Sequence, residues 1–186
     1  NRRAKAVKEG AKRVVNDFNG SLPDDVDILS TFPGIGKATA CSIAAFAFNK
    51  PVVFIETNIR RVFIHFFFHD KEAVQDSEIL PLVEKTLDWS DPRQWYYALM
   101  DYGSMLKKQV QNPNRRSAAY SRQTRFEGSD RQIRGLVLKK LLETGEMDEN
   151  ELIAVVDQKR ERAGKIIHQM KQEGFIEQKG NILRIS

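Results

Sequence analysis

Apolar residues return every three or four positions along most of this 186-residue chain, the spacing of helices that bury one face. Ala4, Val7, Ala11, Val14, Val15 and Phe18 set such a face over Arg2 to Phe18. "NGSLPDD" breaks it with Gly20 and Pro23. "DDVDILSTF" then predicts a short helix, "PGIG" a hairpin, and Lys37 to about Phe48 a second helix. That helix, "KATACSIAAFAF", is apolar on nearly every side, which assigns it to the centre of the fold. Val52 to Ile55 predict a short extended entry, and Glu56 and Thr57 are suited to a helix start. Ile59, Val62, Phe63, Phe66 and Phe67 continue at helical spacing, and helices over Ser77 to Leu87 and Pro92 to about Lys108 follow.

The pattern resets at Ser129. "SDRQIRGLVLKKLLETG" predicts a helix capped by Ser129 and stopped by Gly145, with further helices over Asp148 to Asp157 and Lys159 to Glu173. "FIEQKGNILRIS" alternates around a glycine, as a hairpin does. Three helices and a terminal hairpin predict a winged-helix domain whose third helix faces DNA, or one that only packs against a neighbour. The expected organisation is a mainly α domain over residues 1–108, a basic linker over 109–128 and a winged helix over 129–186.

Charge adds to this picture through its placement. The net charge is +5, yet Lys107 to Arg134 alone hold eight basic residues against Glu127 and Asp130. A solvated linker explains such a run. So does a segment that follows a phosphate backbone, with Arg115, Arg116, Arg122 and Arg125 as contacts and Tyr120 and Phe126 between them. The single cysteine, Cys41, excludes an internal disulfide and an all-thiolate metal or iron–sulfur site, and it is expected to be a buried, inert thiol. No apolar run is long enough for a membrane span, and no signal-peptide core follows Asn1. A cytoplasmic protein is expected, nucleoid-associated if bacterial, whose chain starts inside an element with something missing upstream.

Two local patterns carry chemistry. In "PGIG", glycine allows a tight turn and removes side chains that would hold a ligand away, which presents N–H groups beside a helix N-terminus to a phosphate. Pro33, Gly34, Ile35, Gly36, Lys37 and Thr39 are the candidate DNA-backbone contacts, reading no sequence. A turn made only for packing is the alternative. Glu56 places a carboxylate at a helix N-terminus, where it serves either as a cap or as a functional acid. His65 and His69 stand four apart without an evident third ligand, so no metal is expected there.

"FPGIGKATACSIAAFAFNKPVVFIETNIRRV" resembles the hairpin-to-carboxylate core of the helix-hairpin-helix (HhH-GPD) DNA glycosylases of the endonuclease III superfamily. Together with "NRRAKAVKEGAKRVV", "AFAFNKPV", "TNIRRV" and "YALMDYGSML" it is most similar to the branch that removes adenine mispaired with 8-oxoguanine. The resemblance covers residues 1–108. It implies that Glu56 stands where the family has an aspartate that stabilises the oxocarbenium-like sugar, with a methylene more, roughly 1.5 Å of added reach. Asn58 matches an asparagine that helps place sugar and water, and its alternative role is a first-turn hydrogen bond. The Schiff-base lysine of the bifunctional members falls on Ala38, so a monofunctional glycosylase without lyase activity is implied. Backbone carbonyls of Ser30, Phe32 and Ile35 would hold a monovalent cation, K⁺ or Na⁺. The four cysteines of the family's iron–sulfur cluster are absent, and the Lys107–Arg134 segment would replace the loop they shape. The implied substrate is double-stranded DNA with a mismatched or damaged base. Because the elements that read and replace a flipped base lie upstream of residue 1 in the family, an N-terminal segment or a second chain would complete the site. Two other readings stay open: a DNA-binding protein without catalysis, and a glycosylase of the same fold for uracil or thymine mismatches.

Overall fold

The structure is a computed structural model, and it describes residues 2–122, 124–156 and 160–186. The chain divides into two units, residues 1–121 and 122–186.

The first unit is helical. It runs α1 (Arg2–Phe18), α2 (Val26–Ser30), α3 (Lys37–Phe48), α4 (Thr57–Phe67), α5 (Asp76–Thr86), α6 (Pro92–Gln109) and a 3₁₀ turn (Pro113–Arg116). Its core joins Cys41 and Ala45 of α3, Ile59, Phe63 and Ile64 of α4, Ile79 and Val83 of α5, and Tyr96 of α6. The extended entry over residues 52–55 finds no strand partner. Instead the buried Tyr96 hydroxyl donates to the Val52 carbonyl at 2.7 Å and accepts from the Phe54 N–H at 3.4 Å, so one side chain satisfies backbone that a sheet would otherwise pair. Burial pushes the Tyr96 hydroxyl up to about 12. The same core pushes the Cys41 thiol up, which matches an inert, buried cysteine.

Helix starts follow the caps written in the sequence. Asp25 accepts from Asp27 and Ile28 N–H to open α2, and Asp91 accepts from Gln94 to open α6. Helix α5 begins one residue earlier than its apolar pattern predicts, because the Glu78 carboxylate accepts the Gln75 N–H at 3.1 Å and moves the start to Asp76.

One element departs from expectation. Helix α1 forms over the predicted residues but none of its residues is buried. It rests on the hairpin region: Phe18 stacks on Phe32 with ring centroids 5.7 Å apart, and the Arg13 guanidinium sits 4.7 Å from the same ring while donating to the Thr31 carbonyl. Val7, at 71% exposure, and Val15, at 64%, face away from any core.

The second correction concerns the expected linker. Residues 109–121 belong to the first unit. Pro113, Asn114 and Ser117 are buried, and Val74 pairs with this segment through Val74 N–H to Arg116 O at 2.8 Å and Ala118 N–H to Val74 O at 2.9 Å. The linker pattern misleads because the segment's apolar content is low; backbone groups are instead satisfied by asparagine side chains, Asn112 accepting the Asn114 N–H and Asn114 donating to the Thr57 carbonyl.

The second unit contains α7 (Asp130–Thr144), β1 (Glu146–Asp148), α8 (Glu149–Val156), α9 (Arg160–Gln172), β2 (Ile176–Lys179) and β3 (Ile182–Ile185). Ser129 caps α7 and Gly145, at φ +78°, ends it. The sheet is antiparallel in the order β1-β3-β2, with Met147 opposite Leu183 and Gln178 opposite Leu183 on the other side. This is a winged-helix arrangement with its own core of Val137, Leu141, Leu152, Ile167, Met170 and Leu183. Strand β1 was not predicted: three residues are too few to show alternation. The helix ends expected at Asp157 and Lys159 lie outside the described residues.

Candidate nucleic-acid interface and carboxylate site

The hairpin is built as its glycines require. Gly34 has φ +74°, open to glycine without strain, and a Cβ there would stand 3.0 Å from the Ala6 side chain of α1. Gly36 is the N-cap of α3 with ordinary extended backbone and open space around it, so a backbone phosphate can approach. Pro33, Gly34, Ile35 and Thr39 line a mostly apolar groove of about 590 Å³ against α1, with Arg3 at its edge. Lys37 is exposed and its ammonium lies 2.6 Å from Asp27, an exposed pair that contributes little to stability and opens readily for another anion.

The resemblance implies a cation on the carbonyls of Ser30, Phe32 and Ile35, of which Phe32 is the one seen in a hairpin hydrogen bond. The Phe32 carbonyl accepts the Ile35 N–H at 3.1 Å and keeps its second lone pair, and hard cations take such carbonyl oxygens.

Glu56 is the N-cap of α4 and half-buried. Its Oε1 accepts the Asn58 N–H and, at 2.9 Å, the Ile59 N–H. Both cap bonds fall on one oxygen, which leaves Oε2 uncommitted among the described residues. The capping role and the availability of a carboxylate oxygen therefore coexist.

The Asn58 side chain bonds within the start of its own helix and reaches toward α6. Its Oδ1 accepts from Arg61 Nη1 at 2.6 Å, and its Nδ2 lies 4.0 Å from the Met100 sulfur. Arg61 is only 3% exposed. It also donates to the Gly103 carbonyl at 2.6 Å and, through Nε, to Asn112 Oδ1 at 3.1 Å. Burial lowers the Arg61 pKa from its ordinary value, and the Glu56 charge opposes that shift. Gly103 admits this arrangement because α6 crosses α4 here at very short range: a Cβ would stand 2.5 Å from the Asn58 carbonyl oxygen. Asn114 donates to the Thr57 carbonyl at 2.8 Å.

The basic segment separates into different roles. Arg116 donates to the carbonyls of Phe68 at 2.5 Å, His69, and Ile64 at 3.4 Å, and so closes the C-terminal end of α4 rather than facing solvent as a phosphate contact. Arg115 is exposed and lines a polar recess of about 350 Å³ with His69, Glu72 and Gln111. Arg122 and Arg125 are exposed at the start of the second unit. On α9, Arg162 pairs with Asp130, Lys165 with Glu161 and Lys171 with Glu149. No group of three metal-ligating side chains occurs among the described residues.

Arg61, Gly103, Asn112 and Asn114 were not singled out from sequence. Their one visible signal was a charged residue, Arg61, set among the apolar positions of α4.

No family model matches the chain. An adenine DNA glycosylase of Mycobacterium tuberculosis is 46% identical over 61 residues, 33% of this chain and 20% of that protein. An adenine DNA glycosylase of Mycolicibacterium smegmatis is 32% identical over 154 residues, 74% of this chain and 52% of the relative. The chain belongs to the helix-hairpin-helix (HhH-GPD) glycosylase family. It spans between a fifth and about half of the length of these relatives. A thymine/uracil-DNA glycosylase of Methanothermobacter thermautotrophicus is 28% identical over 108 residues, 57% of this chain and 49% of that protein. The family fold accounts for the first unit, and a small sheet-containing domain follows it. Among the described residues no helix is long and apolar enough to cross a membrane.

Proposed function

We propose that this chain carries the DNA-gripping and sugar-stabilising half of a monofunctional DNA glycosylase that hydrolyses the glycosidic bond of adenine opposite 8-oxoguanine. The observation that carries the reading is Glu56: a half-buried carboxylate fixed by two N–H groups through one oxygen, with the other available to face a sugar that gains positive charge. The hairpin at Gly34 and Gly36 grips a phosphate, and Lys37, Arg115, Arg122 and Arg125 add affinity without reading sequence. Carbonyls of Ser30, Phe32 and Ile35 hold a monovalent cation beside that phosphate. With Ala38 at the position next to Lys37, water rather than a lysine attacks the sugar.

Flipping a base out of the stack requires groups that read it and fill the gap. An N-terminal segment outside the given residues, or a second chain, supplies them in this proposal. The uncovered apolar side of α1, with Val7 and Val15 exposed, supports a contact of that kind.

The test is single-turnover cleavage of a duplex holding adenine opposite 8-oxoguanine by wild type and Glu56→Gln, each assayed together with the N-terminal segment or second chain that the proposal requires. Glutamine keeps an acceptor oxygen for the cap and removes the charge. Wild-type activity with a loss on the order of a hundredfold or more in the variant is expected, the scale of removing one transition-state electrostatic group. Equal rates, or an inert wild type that binds duplex, refute it. The likeness to a protein named thymine/uracil-DNA glycosylase favours one second reading, so duplexes with uracil or thymine opposite guanine belong in the same series.

A further inference from the structure

We propose that the turn at residues 112–114 positions the reactive end of α4, Asn112 acting on Asn58 through Arg61 and Asn114 acting on the Thr57 carbonyl. This rests on the glycosylase reading above.

The bonds form one continuous path. Asn112 Oδ1 caps the 3₁₀ turn by accepting the Asn114 N–H at 3.2 Å, and the same oxygen accepts from Arg61. Arg61 in turn holds Asn58 Oδ1, which turns the amide nitrogen of Asn58 away from the helix. Two residues further on, Arg116 fastens the other end of α4 through the carbonyls of Ile64, Phe68 and His69. The short segment thus braces α4 at both ends.

Stability alone does not account for the residues chosen. Arg61 is a buried cation with no carboxylate at ion-pair distance among the described residues, an arrangement that well-packed apolar side chains match or exceed in stability. Asn114 is 5% exposed, and its Oδ1 is buried without a hydrogen-bond donor. An apolar side chain there would avoid that orphaned oxygen. What both side chains provide, and an apolar side chain does not, is a directional bond to the first turn of α4, where Glu56 and Asn58 sit.

The experiment uses the chain together with the N-terminal segment or second chain that completes the proposed site, with two variants. Asn112→Ser keeps a hydroxyl able to cap the turn but is too short to reach Arg61, and Asn112→Asp keeps an acceptor for both. Single-turnover rate and duplex affinity are measured for each, and again in an Asn58→Ala background. Side-chain amide resonances of Asn58 are followed by ¹⁵N NMR. Expected are a rate loss on the order of tenfold to a hundredfold for Asn112→Ser with duplex affinity unchanged, a rate near wild type for Asn112→Asp, and no further loss when Asn112→Ser is added to Asn58→Ala. The Asn58 side-chain resonances move in Asn112→Ser although no bond joins the two side chains. The proposal is overturned if Asn112→Ser slows both backgrounds by the same factor, or if it leaves rate and resonances unchanged. Should wild type cleave no duplex, the glycosylase reading fails by itself, and the Asn58 resonances decide the positioning: movement supports it and constancy overturns it.

Discussion

Replacing Glu56 by aspartate asks whether reach or anchoring sets the position of the carboxylate proposed to act on the sugar. One methylene is roughly 1.5 Å of side-chain length, and a displacement of about 1 Å costs on the order of a hundredfold in rate, about 2.7 kcal/mol of barrier. That would apply if the carboxylate stood at the end of a free arm. It does not: Oε1 is fixed on the N–H groups of Asn58 and Ile59, the same two positions of the first turn that an aspartate N-cap uses. In both acids the donors set where the cap oxygen lies, so the extra methylene of Glu56 is taken up as a bend in its chain. The expected result is therefore a Glu56→Asp variant within about tenfold of wild type, about 1.4 kcal/mol or less of barrier, with a urea midpoint equal or slightly higher because aspartate is the better cap. Single-turnover cleavage of the adenine·8-oxoguanine duplex with enzyme in excess reads the rate, and unfolding followed by far-ultraviolet circular dichroism reads the cap. A loss of a hundredfold or more refutes anchoring. A large gain also refutes it, and marks Glu56 as an impairment of an aspartate site.

Two further outcomes concern the frame. Gly103→Ala gains about 1 kcal/mol of helix propensity, but its Cβ would stand 2.5 Å from the Asn58 carbonyl oxygen and 2.8 Å from the Asn58 Cβ. Neither atom is the end of a flexible side chain, so α6 must lift from α4, with about 1–3 kcal/mol of overpacking and a strained charged bond from Arg61 worth about 1.5–3 kcal/mol. A net destabilisation of about 2–4 kcal/mol in urea unfolding is expected, and an equally or more stable variant contradicts it. Tyr96 concerns alkaline stability. Its hydroxyl, ordinarily near 10, is pushed up to about 12 by burial, so between these values the unfolded chain has lost a proton that the folded chain keeps. Stability must fall as pH rises through that window, by about 2–3 kcal/mol from this group. Tyr96→Phe, compared with wild type in urea at pH 9 and above pH 11, removes that part of the slope; parallel profiles refute the assignment.

Features that depend on near neighbours were legible in the chain itself. The Ser129 cap and the Gly34 turn use partners within four residues, so residue type and spacing suffice to place them. Features that depend on distant partners were not. Asn114 reaches Thr57 across 57 positions, Arg61 reaches Asn112 across 51, and Gly103 meets Asn58 across 45. Nothing in "QNPNRRS" announces such bonds, because asparagine, proline and arginine also make good solvated linker. Arg116 shows why net charge is a coarse guide: as sequence it adds to a basic run, and as structure it is spent on three carbonyls at the end of α4.

That division has a chemical meaning. The local features set where the proposed phosphate contact and the carboxylate fall along the chain. The distant features fix orientation: they decide which way Asn58 points and how closely α6 presses on the first turn of α4. A glycosylase needs both, since a carboxylate helps a cationic sugar only from the correct side and distance. In this chain the orientation falls to a buried arginine that, among the described residues, is bonded to amide and carbonyl oxygens. Such bonds carry no counter-ion to compensate a lost partner, so a change at any one of Asn58, Gly103 or Asn112 is felt at the other two.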